Sequence, residues 1–254
     1  MCGIIGYVGH QQAAPILLDG LARMEYRGYD SAGVAVRSET KGLQVYKSKG
    51  RLQVLSDMIH GGADVEGTLG IGHTRWATHG EPNDINAHPH VSEDGRIAMV
   101  HNGIIENHEA LRTRLKGEGY EFTSDTDTEV IAHLLNELYN GDLVQTIQIA
   151  LKRMKGSYAL AVLCANEPNK IVAVRKDSPL IVGLGDGENF IASDIPATLS
   201  HTRDIYRLEE NEIAVIQKSG VTVYDMDLKP VVKKTTHIDW DISAAEKGGF
   251  DHFM

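Results

Sequence analysis

The segment Met1-Cys2-Gly-Ile-Ile-Gly-Tyr-Val8 places a cysteine directly before a run of β-branched and aromatic residues. Residues 4–8 are typical of a short strand. Cysteine is usually a buried residue, so its position beside the initiator methionine is unusual. Two interpretations are open from these residues alone. Cys2 is either a small apolar residue that begins the strand or a nucleophile at the chain terminus.

The nucleophile interpretation has a clear chemical basis. A cysteine nucleophile needs a base within hydrogen-bond reach and a site for the developing oxyanion. If Met1 is removed, Cys2 carries a free α-amine, whose reference pKa of about 7.7–8.0 leaves a useful fraction neutral near pH 7. One residue would then supply both nucleophile and base. Gly3 and Gly6 would allow a substrate to approach the backbone closely.

Strand signals dominate both halves of the chain, with helical periodicity between them. Strands are predicted at residues 4–8, 32–37, 43–47, 68–73, 96–101, 158–163, 170–174, 180–183, 189–192, 213–216 and 221–224. Helices are predicted at residues 12–24, 52–59, 109–116, 127–139 and 143–154. Because strands and helices do not alternate regularly, two antiparallel sheets covered by helices fit better than a doubly wound parallel sheet.

Composition narrows the possible partners. The 254 residues carry 25 Lys+Arg against 35 Asp+Glu, a formal charge of −10, which disfavours nucleic-acid and anionic-membrane partners. The longest apolar run, residues 158–165, is far shorter than the roughly 20 residues of a membrane span. Residues 1–20 lack the basic start and apolar stretch of a secretory signal. The sequence therefore predicts a cytoplasmic protein.

Four motifs occur in order along the chain: Cys2-Gly-Ile-Ile-Gly6, Glu25-Tyr-Arg-Gly-Tyr-Asp-Ser-Ala-Gly33, His73-Thr-Arg-Trp-Ala-Thr-His-Gly80 and His101-Asn-Gly-Ile-Ile-Glu-Asn-His108. Together they resemble the N-terminal-nucleophile (class II) glutamine amidotransferases. The long motifs are most similar to the glutamine–fructose-6-phosphate aminotransferases, and residues 189–194 fit the same family. The resemblance implies an α+β fold, a four-layer αββα sandwich of two antiparallel sheets between helices.

The resemblance also implies a domain organisation and partners. Residues 2–243 would form a glutaminase domain. Residues 244–254 would begin the linker to a sugar-phosphate isomerase half that the sequence does not contain. The implied partners are L-glutamine and that isomerase half, with homo-oligomers expected only for the full-length enzyme. In that enzyme, ammonia from glutamine would convert fructose 6-phosphate to glucosamine 6-phosphate.

Three catalytic residues follow from the resemblance. Cys2 would attack the glutamine amide and form a glutamyl thioester, with no cofactor and no metal. The side-chain amide of Asn102 and the backbone N–H of Gly103 would form the oxyanion hole. From the residues alone, Asn-Gly is equally a hairpin-turn signal between strands at residues 96–101 and 104–105.

Two charged residues match the ends of glutamine. The resemblance assigns the glutamine carboxylate to Arg75, whose guanidinium can bind a carboxylate through two donors. The alternative for Arg75 is an ordinary surface ion pair. The resemblance assigns the glutamine ammonium to Asp127. Because Ser124 and Asp127 have the spacing of a helix capping box, Asp127 is also predicted to cap the following helix.

Four further residues are implied around the substrate. Arg27 resembles a residue that orders the loop beside the nucleophile. Trp76, Thr78 and His79 belong to a segment that would close over glutamine, which would exclude bulk water and retain ammonia.

Several other interpretations compete with this one. Six histidines between residues 73 and 108 suggest a metal site, but their spacing matches zinc motifs poorly. Cys164 lies in an apolar strand, where an inert buried thiol is expected. The glycines at 183–187 indicate a turn rather than a phosphate loop. The remaining alternatives are a phosphoribosyl-pyrophosphate or asparagine synthetase type of amidotransferase, and a non-catalytic binding module if Met1 is retained.

Overall fold

The computed structural model describes residues 2–77 and 79–240. Thr78 and the predicted linker at residues 244–254 lie outside the described residues, as does the predicted domain boundary at residue 243.

The described residues form five α-helices and fifteen strands. The helices are α1 (Ala13–Ala22), α2 (Leu52–Met58), α3 (His108–Gly117), α4 (Glu129–Leu138) and α5 (Leu143–Leu151). The strands of the first half are β1 (Gly3–Val8), β2 (Ser31–Ser38), β3 (Gly42–Lys49), β4 (Leu69–Arg75), β5 (His90–Val91) and β6 (Ile97–Ile105). Those of the second half are β7 (Gly156–Cys164), β8 (Lys170–Lys176), β9 (Ile181–Leu184), β10 (Asn189–Ala192), β11 (Asp204–Arg207), β12 (Ile213–Gln217), β13 (Gly220–Tyr224), β14 (Pro230–Val231) and β15 (Thr236–His237).

The strands pair into two antiparallel sheets. The first sheet has the order β15-β11-β9-β10-β1-β4-β2-β3, and the second has the order β14-β13-β12-β8-β7-β6-β5. Strand β1 therefore lies in the interior of the first sheet, between β10 and β4. The start of β1 faces the end of β4, since Gly3 pairs with Thr74.

Three separate apolar cores hold four layers together. One core joins α1 and α2 to the first sheet, and a second joins α3, α4 and α5 to the other sheet. The third core lies between the sheets and contains Ile4, Ile71, Val100 and Ile171. This arrangement confirms the predicted αββα sandwich. Within residues 2–77 and 79–240, none of the helices has the length and apolar character that crossing a bilayer would require.

The sequence missed four short strands, β5, β11, β14 and β15, which have only two to four residues each. Such strands are too short to show alternation of apolar and polar residues. The predicted helix boundaries were also too wide in places. The ends of helices are the features that sequence patterns predict least well. Here α1 ends at Ala22 and α5 ends at Leu151.

The predicted capping box around Asp127 is wrong. Helix α4 begins at Glu129, and of the two overlapping capping boxes that the sequence offers, only that of Thr126 and Glu129 is partly formed, since the Thr126 hydroxyl accepts the Glu129 backbone N–H at 3.3 Å. Asp127 instead accepts a hydrogen bond from the Ile105 backbone N–H at 2.8 Å. Its carboxylate is thus fixed by strand β6 rather than by the start of a helix.

The hairpin alternative for Asn102-Gly103 is also wrong, because both residues lie inside strand β6. Asn102 pairs with Ala159 and Gly103 with Tyr158 on β7. Gly103 has a φ of +136°, in the region that favours glycine. A Cβ atom at this position would lie 2.1 Å from the Ser157 carbonyl oxygen, closer than any real contact.

Replacing this glycine should therefore damage the fold. We expect Gly103→Ala to lower the free energy of unfolding by at least about 2 kcal/mol, since it combines backbone strain with a backbone clash. The matched control is Gly117→Ala at the end of α3, where an added Cβ meets nothing within 4 Å. Urea unfolding of both variants measures the difference. Equal stability of the two variants would contradict this explanation.

Candidate active site

The predicted nucleophile lies at a junction of two neighbouring strands. Cys2 directly precedes β1 and Trp76 directly follows β4, so the antiparallel pairing brings them together. The Cys2 Sγ accepts a hydrogen bond from the Trp76 backbone N–H at 3.2 Å. Burial is the largest influence on this thiol and raises the pKa of Cys2 above its ordinary value. A base must therefore remove the proton before Cys2 can act as a thiolate near neutral pH.

The predicted oxyanion residues approach Cys2 from the opposite sheet. The Asn102 side chain is almost fully buried, and its Nδ2 donates to the Cys2 carbonyl oxygen at 3.0 Å. The Asn102 Oδ1 accepts from His73 Nε2 at 2.9 Å. Asn102 and Gly103 both line a cavity that Cys2 also lines. The fold thus brings the three predicted catalytic residues together.

Arg75 lines the same cavity, and one of its guanidinium nitrogens has no hydrogen-bond partner among the described residues. Its guanidinium is buried, and Nη2 donates to the backbone carbonyls of His79 and of Gly80, the latter at 3.1 Å. Among the described residues, nothing bonds the buried Nη1 atom. An unsatisfied buried guanidinium nitrogen is costly unless a ligand completes it. The surface ion-pair interpretation of Arg75 is therefore wrong.

Asp127 brings a negative charge to the cavity. It is 4% exposed, and Ile105 N–H holds its Oδ2. Arg75 and Asp127 therefore place a cationic and an anionic group beside a thiol, and Arg27 is a second cationic residue of the lining. With a volume of about 270 Å³, the cavity suits a small zwitterionic molecule.

The remaining predicted residues form the rim of the cavity. Arg27 is buried and donates from Nη1 to the Ser193 carbonyl and to Asp194 Oδ2, both at 3.0 Å. Trp76 is 51% exposed, and its ring makes an edge contact with Tyr29 at 5.6 Å between centroids. His79 and Arg27 also line the cavity, so it contains all the predicted site residues that the structure describes.

Asp30 is a functional candidate that the sequence reasoning missed, although it lies inside a quoted motif. Its Oδ2 accepts the backbone N–H of Ala77, and its Oδ1 accepts the Ser31 hydroxyl. These bonds fix the chain directly after Trp76. The carboxylate of Asp30 also raises the pKa of the Cys2 thiol, as a smaller contribution than burial.

The histidine-rich segment forms a buried cluster, of which His88 and His101 line the cavity. The rings of His73 and His88 stack with centroids 4.2 Å apart, and His90 packs edge-on against His88 at 4.8 Å. Burial is the main cause that lowers the pKa of His73 to about 3 and those of His88, His90 and His101 below the usual range. All four rings are therefore neutral at physiological pH.

The cluster does not have the geometry of a metal site. Within residues 2–77 and 79–240, no group of three or more His, Cys, Asp or Glu side chains is arranged to hold a metal ion. The density of histidines was the signal that could have revealed the cluster. The sequence suggests these histidines only as possible metal ligands, because spacing along the chain does not show which rings stack.

Comparison with known proteins supports the fold and identifies the family. A family described as "Glutamine amidotransferase domain" matches residues 73–200. The solved structure of glutamine phosphoribosylpyrophosphate amidotransferase from B. subtilis, in complex with ADP and GMP, superposes with a TM-score of 0.78 at 26% identity. That match covers 90% of this chain and 50% of the other. The fold is thus that of the N-terminal-nucleophile amidotransferases.

The chain belongs to the glutamine amidotransferase domain family. It is 56% identical over 254 residues to a glutamine–fructose-6-phosphate aminotransferase (isomerizing) of Caldanaerobacter subterraneus subsp. tengcongensis. It is 57% identical to the enzyme of the same name from Clostridium perfringens. Both matches cover the whole of this chain, which spans 41% of the length of each relative.

The buried histidines predict a specific pH dependence of stability. In the unfolded chain they bind protons below about pH 6.5, whereas in the folded protein they remain neutral. The contribution of the buried neutral histidines to the free energy of unfolding is therefore complete above that pH. Below it, the free energy of unfolding falls as the unfolded chain takes up protons, and His73, whose folded-state pKa is about 3, contributes up to about 1.4 kcal/mol per pH unit.

Urea unfolding at pH 7.5, 6.5 and 5.5 measures this effect above the range in which carboxylates titrate. His90→Gln should reduce the slope of the free energy of unfolding against pH below pH 6, by the amount that corresponds to about one bound proton. Unchanged stability between pH 7.5 and 5.5 would show that the cluster is not held neutral.

Proposed function

We propose that this chain hydrolyses L-glutamine to L-glutamate and ammonia, with Cys2 as the nucleophile. The observation that carries the proposal is the position of the Cys2 Sγ in a cavity that also contains the Asn102 amide. Family membership supports the same activity. The reaction requires no cofactor or metal.

The first half-reaction forms a thioester. Once Met1 is removed, the α-amine of Cys2 takes the thiol proton, through a water molecule, as Sγ attacks the side-chain amide carbon of glutamine. The carbonyl oxygen becomes an oxyanion, which the Asn102 Nδ2 and the Gly103 N–H would stabilise. The C–N bond then breaks, the α-ammonium returns the proton to the leaving nitrogen, and ammonia departs.

The second half-reaction restores the enzyme. The α-amine takes a proton from water, which attacks the thioester carbon through a second oxyanion. The C–S bond breaks, the Cys2 sulfur is reprotonated and glutamate leaves. Because both half-reactions pass through an oxyanion at the same place, one pair of donors can serve both.

Recognition of glutamine would use the charges of the cavity. The unpaired Nη1 of Arg75 would bind the α-carboxylate, and Asp127 would bind the α-ammonium. Trp76 and His79 lie at the rim. With Thr78, they would cover bound glutamine, and Arg27 would support this region through Ser193 and Asp194.

The role of the whole protein follows from its relatives. Because the chain matches only 41% of their length, we propose that it supplies ammonia to an isomerase half, which converts fructose 6-phosphate to glucosamine 6-phosphate. Identity of 56% to these relatives, against 26% to the phosphoribosylpyrophosphate enzyme, favours this partner. The chain by itself should release ammonia and make no amino sugar. We place it in the cytoplasm, as a homo-oligomer only in the full-length enzyme.

Substitution of the two cysteines tests the nucleophile. Cys2→Ala should lower glutaminase activity by at least about 10³-fold, because no other group can form the thioester. Cys164→Ala is the matched control, since Cys164 is buried in β7 and should leave activity close to wild type. Glutamate and ammonia release are measured on both variants.

The mass of the N-terminus, determined on the same wild-type protein, separates an enzyme from a binding module. Active protein should begin at Cys2. Retained Met1 together with absent activity would support the non-catalytic alternative. Activity that survives in Cys2→Ala would overturn the mechanism.

Substitution of Asp127 tests recognition of the substrate ammonium. Asp127→Asn should raise the KM for glutamine about 10- to 100-fold with a small change in kcat, since a hydrogen bond to a charged group contributes about 1.5–3 kcal/mol. Asp125→Asn is the control, because Asp125 is exposed in the same loop. Steady-state kinetics distinguish the two. An unchanged KM in Asp127→Asn would remove Asp127 from the binding site.

A further inference from the structure

His73 is a buried group that the mechanism does not use. It lies in β4 of the first sheet, and its ring is fully buried between the two sheets. Its Nε2 contacts two atoms of β6 in the opposite sheet: the His101 carbonyl oxygen at 3.1 Å and the Asn102 Oδ1 at 2.9 Å.

The identity of these partners determines where the proton of the ring lies. A backbone carbonyl oxygen can only accept a hydrogen bond, so the bond to His101 requires that Nε2 carries the hydrogen. The Asn102 atom that faces the same Nε2–H must then also be an acceptor, which is the amide oxygen. This excludes the flipped side-chain amide, in which the NH2 group would face His73.

The orientation of Asn102 has a direct consequence at Cys2. With its oxygen bound to His73, the Asn102 NH2 group must face the cavity side, where it donates to the Cys2 carbonyl. A flipped amide would instead present its oxygen to the developing oxyanion, and two negative oxygens would repel each other. The Cys2 carbonyl, which accepts from Nδ2, and the His73 Nε2–H, which donates to Oδ1, favour the same orientation from opposite ends of the amide.

The surroundings keep the ring of His73 in the required state. Stacking on His88, with 27° between the rings, fixes the ring plane. Burial lowers the pKa of His73 to about 3, so the ring stays neutral. Among the described residues, His73 Nδ1 has no hydrogen-bond partner that would compete for the proton.

We propose that His73 is a positioning residue, which holds the Asn102 side-chain amide with its NH2 group toward Cys2 so that it can donate to the oxyanion. This inference rests on the proposed glutaminase activity. It extends that activity to a residue that touches neither the substrate nor the nucleophile.

Kinetics of four single variants and one double variant test the proposal. His73→Leu removes the donor at similar volume and should lower kcat about 10- to 100-fold, with KM for glutamine within about threefold of wild type. His73→Gln retains an N–H donor and should recover most of the lost kcat. In an Asn102→Ala background, His73→Leu should cost less than about threefold, since the group on which it acts is already absent. His201→Leu is the matched control, because His201 Nε2 is buried with no hydrogen-bond partner among the described residues, and its ring lies against Phe190 of β10.

The outcomes separate this inference from the proposed function. An inactive wild type that begins at Cys2 would refute the glutaminase itself. An active wild type with equal losses from His73→Leu in both backgrounds, or with equal losses in His73→Leu and His201→Leu, would overturn the positioning role alone.

A measurement on the unmodified protein avoids the risk that a variant does not fold. Nitrogen-15 NMR of the wild-type histidines should show His73 neutral, with the hydrogen on Nε2, at pH 7 and still at pH 5. A hydrogen on Nδ1, or a protonated ring at pH 7, would overturn the proposal.

Discussion

The apolar contact between the two sheets determines where every group of the site lies. Ile4, Ile71, Val100 and Ile171 close the space between the sheets and hold them at one fixed separation. Only then do the start of β1 and the middle of β6 come within hydrogen-bond distance. The bond from Asn102 to Cys2 is therefore a product of core packing, and not of local chain geometry.

His73 and Asn102 make polar contacts between the sheets, and burial controls the protonation of the histidine. His73 and Asn102 meet in a region from which water is excluded, where an unpaired polar atom is costly. The neutral ring of His73 reduces this cost, because its Nε2–H donates to the His101 carbonyl and to the Asn102 Oδ1. The same exclusion of water raises the pKa of the Cys2 thiol, so proton removal has to be part of the reaction.

Much of the architecture was accessible from the sequence, because the long strands of both sheets show clear apolar patterns. The edge strands β14 and β15 were not, since pairings of two residues are decided by the neighbouring strand rather than by local preference. The motifs also named residues that line one cavity in the structure. They did not reveal that Asp127 is held by Ile105 instead of a helix cap, nor that His73 binds Asn102, because both contacts join distant parts of the chain.

The guanidinium of Arg75 is a rigid, planar group with two nitrogens in different environments. Its Nη2 donates to the carbonyls of His79 and Gly80, while none of the described residues bonds Nη1. If the proposed substrate carboxylate binds this guanidinium, ligand binding and the order of residues 79–80 would be linked. A change that loosens those residues would then weaken carboxylate binding, and a bound carboxylate would stabilise them by the same free energy.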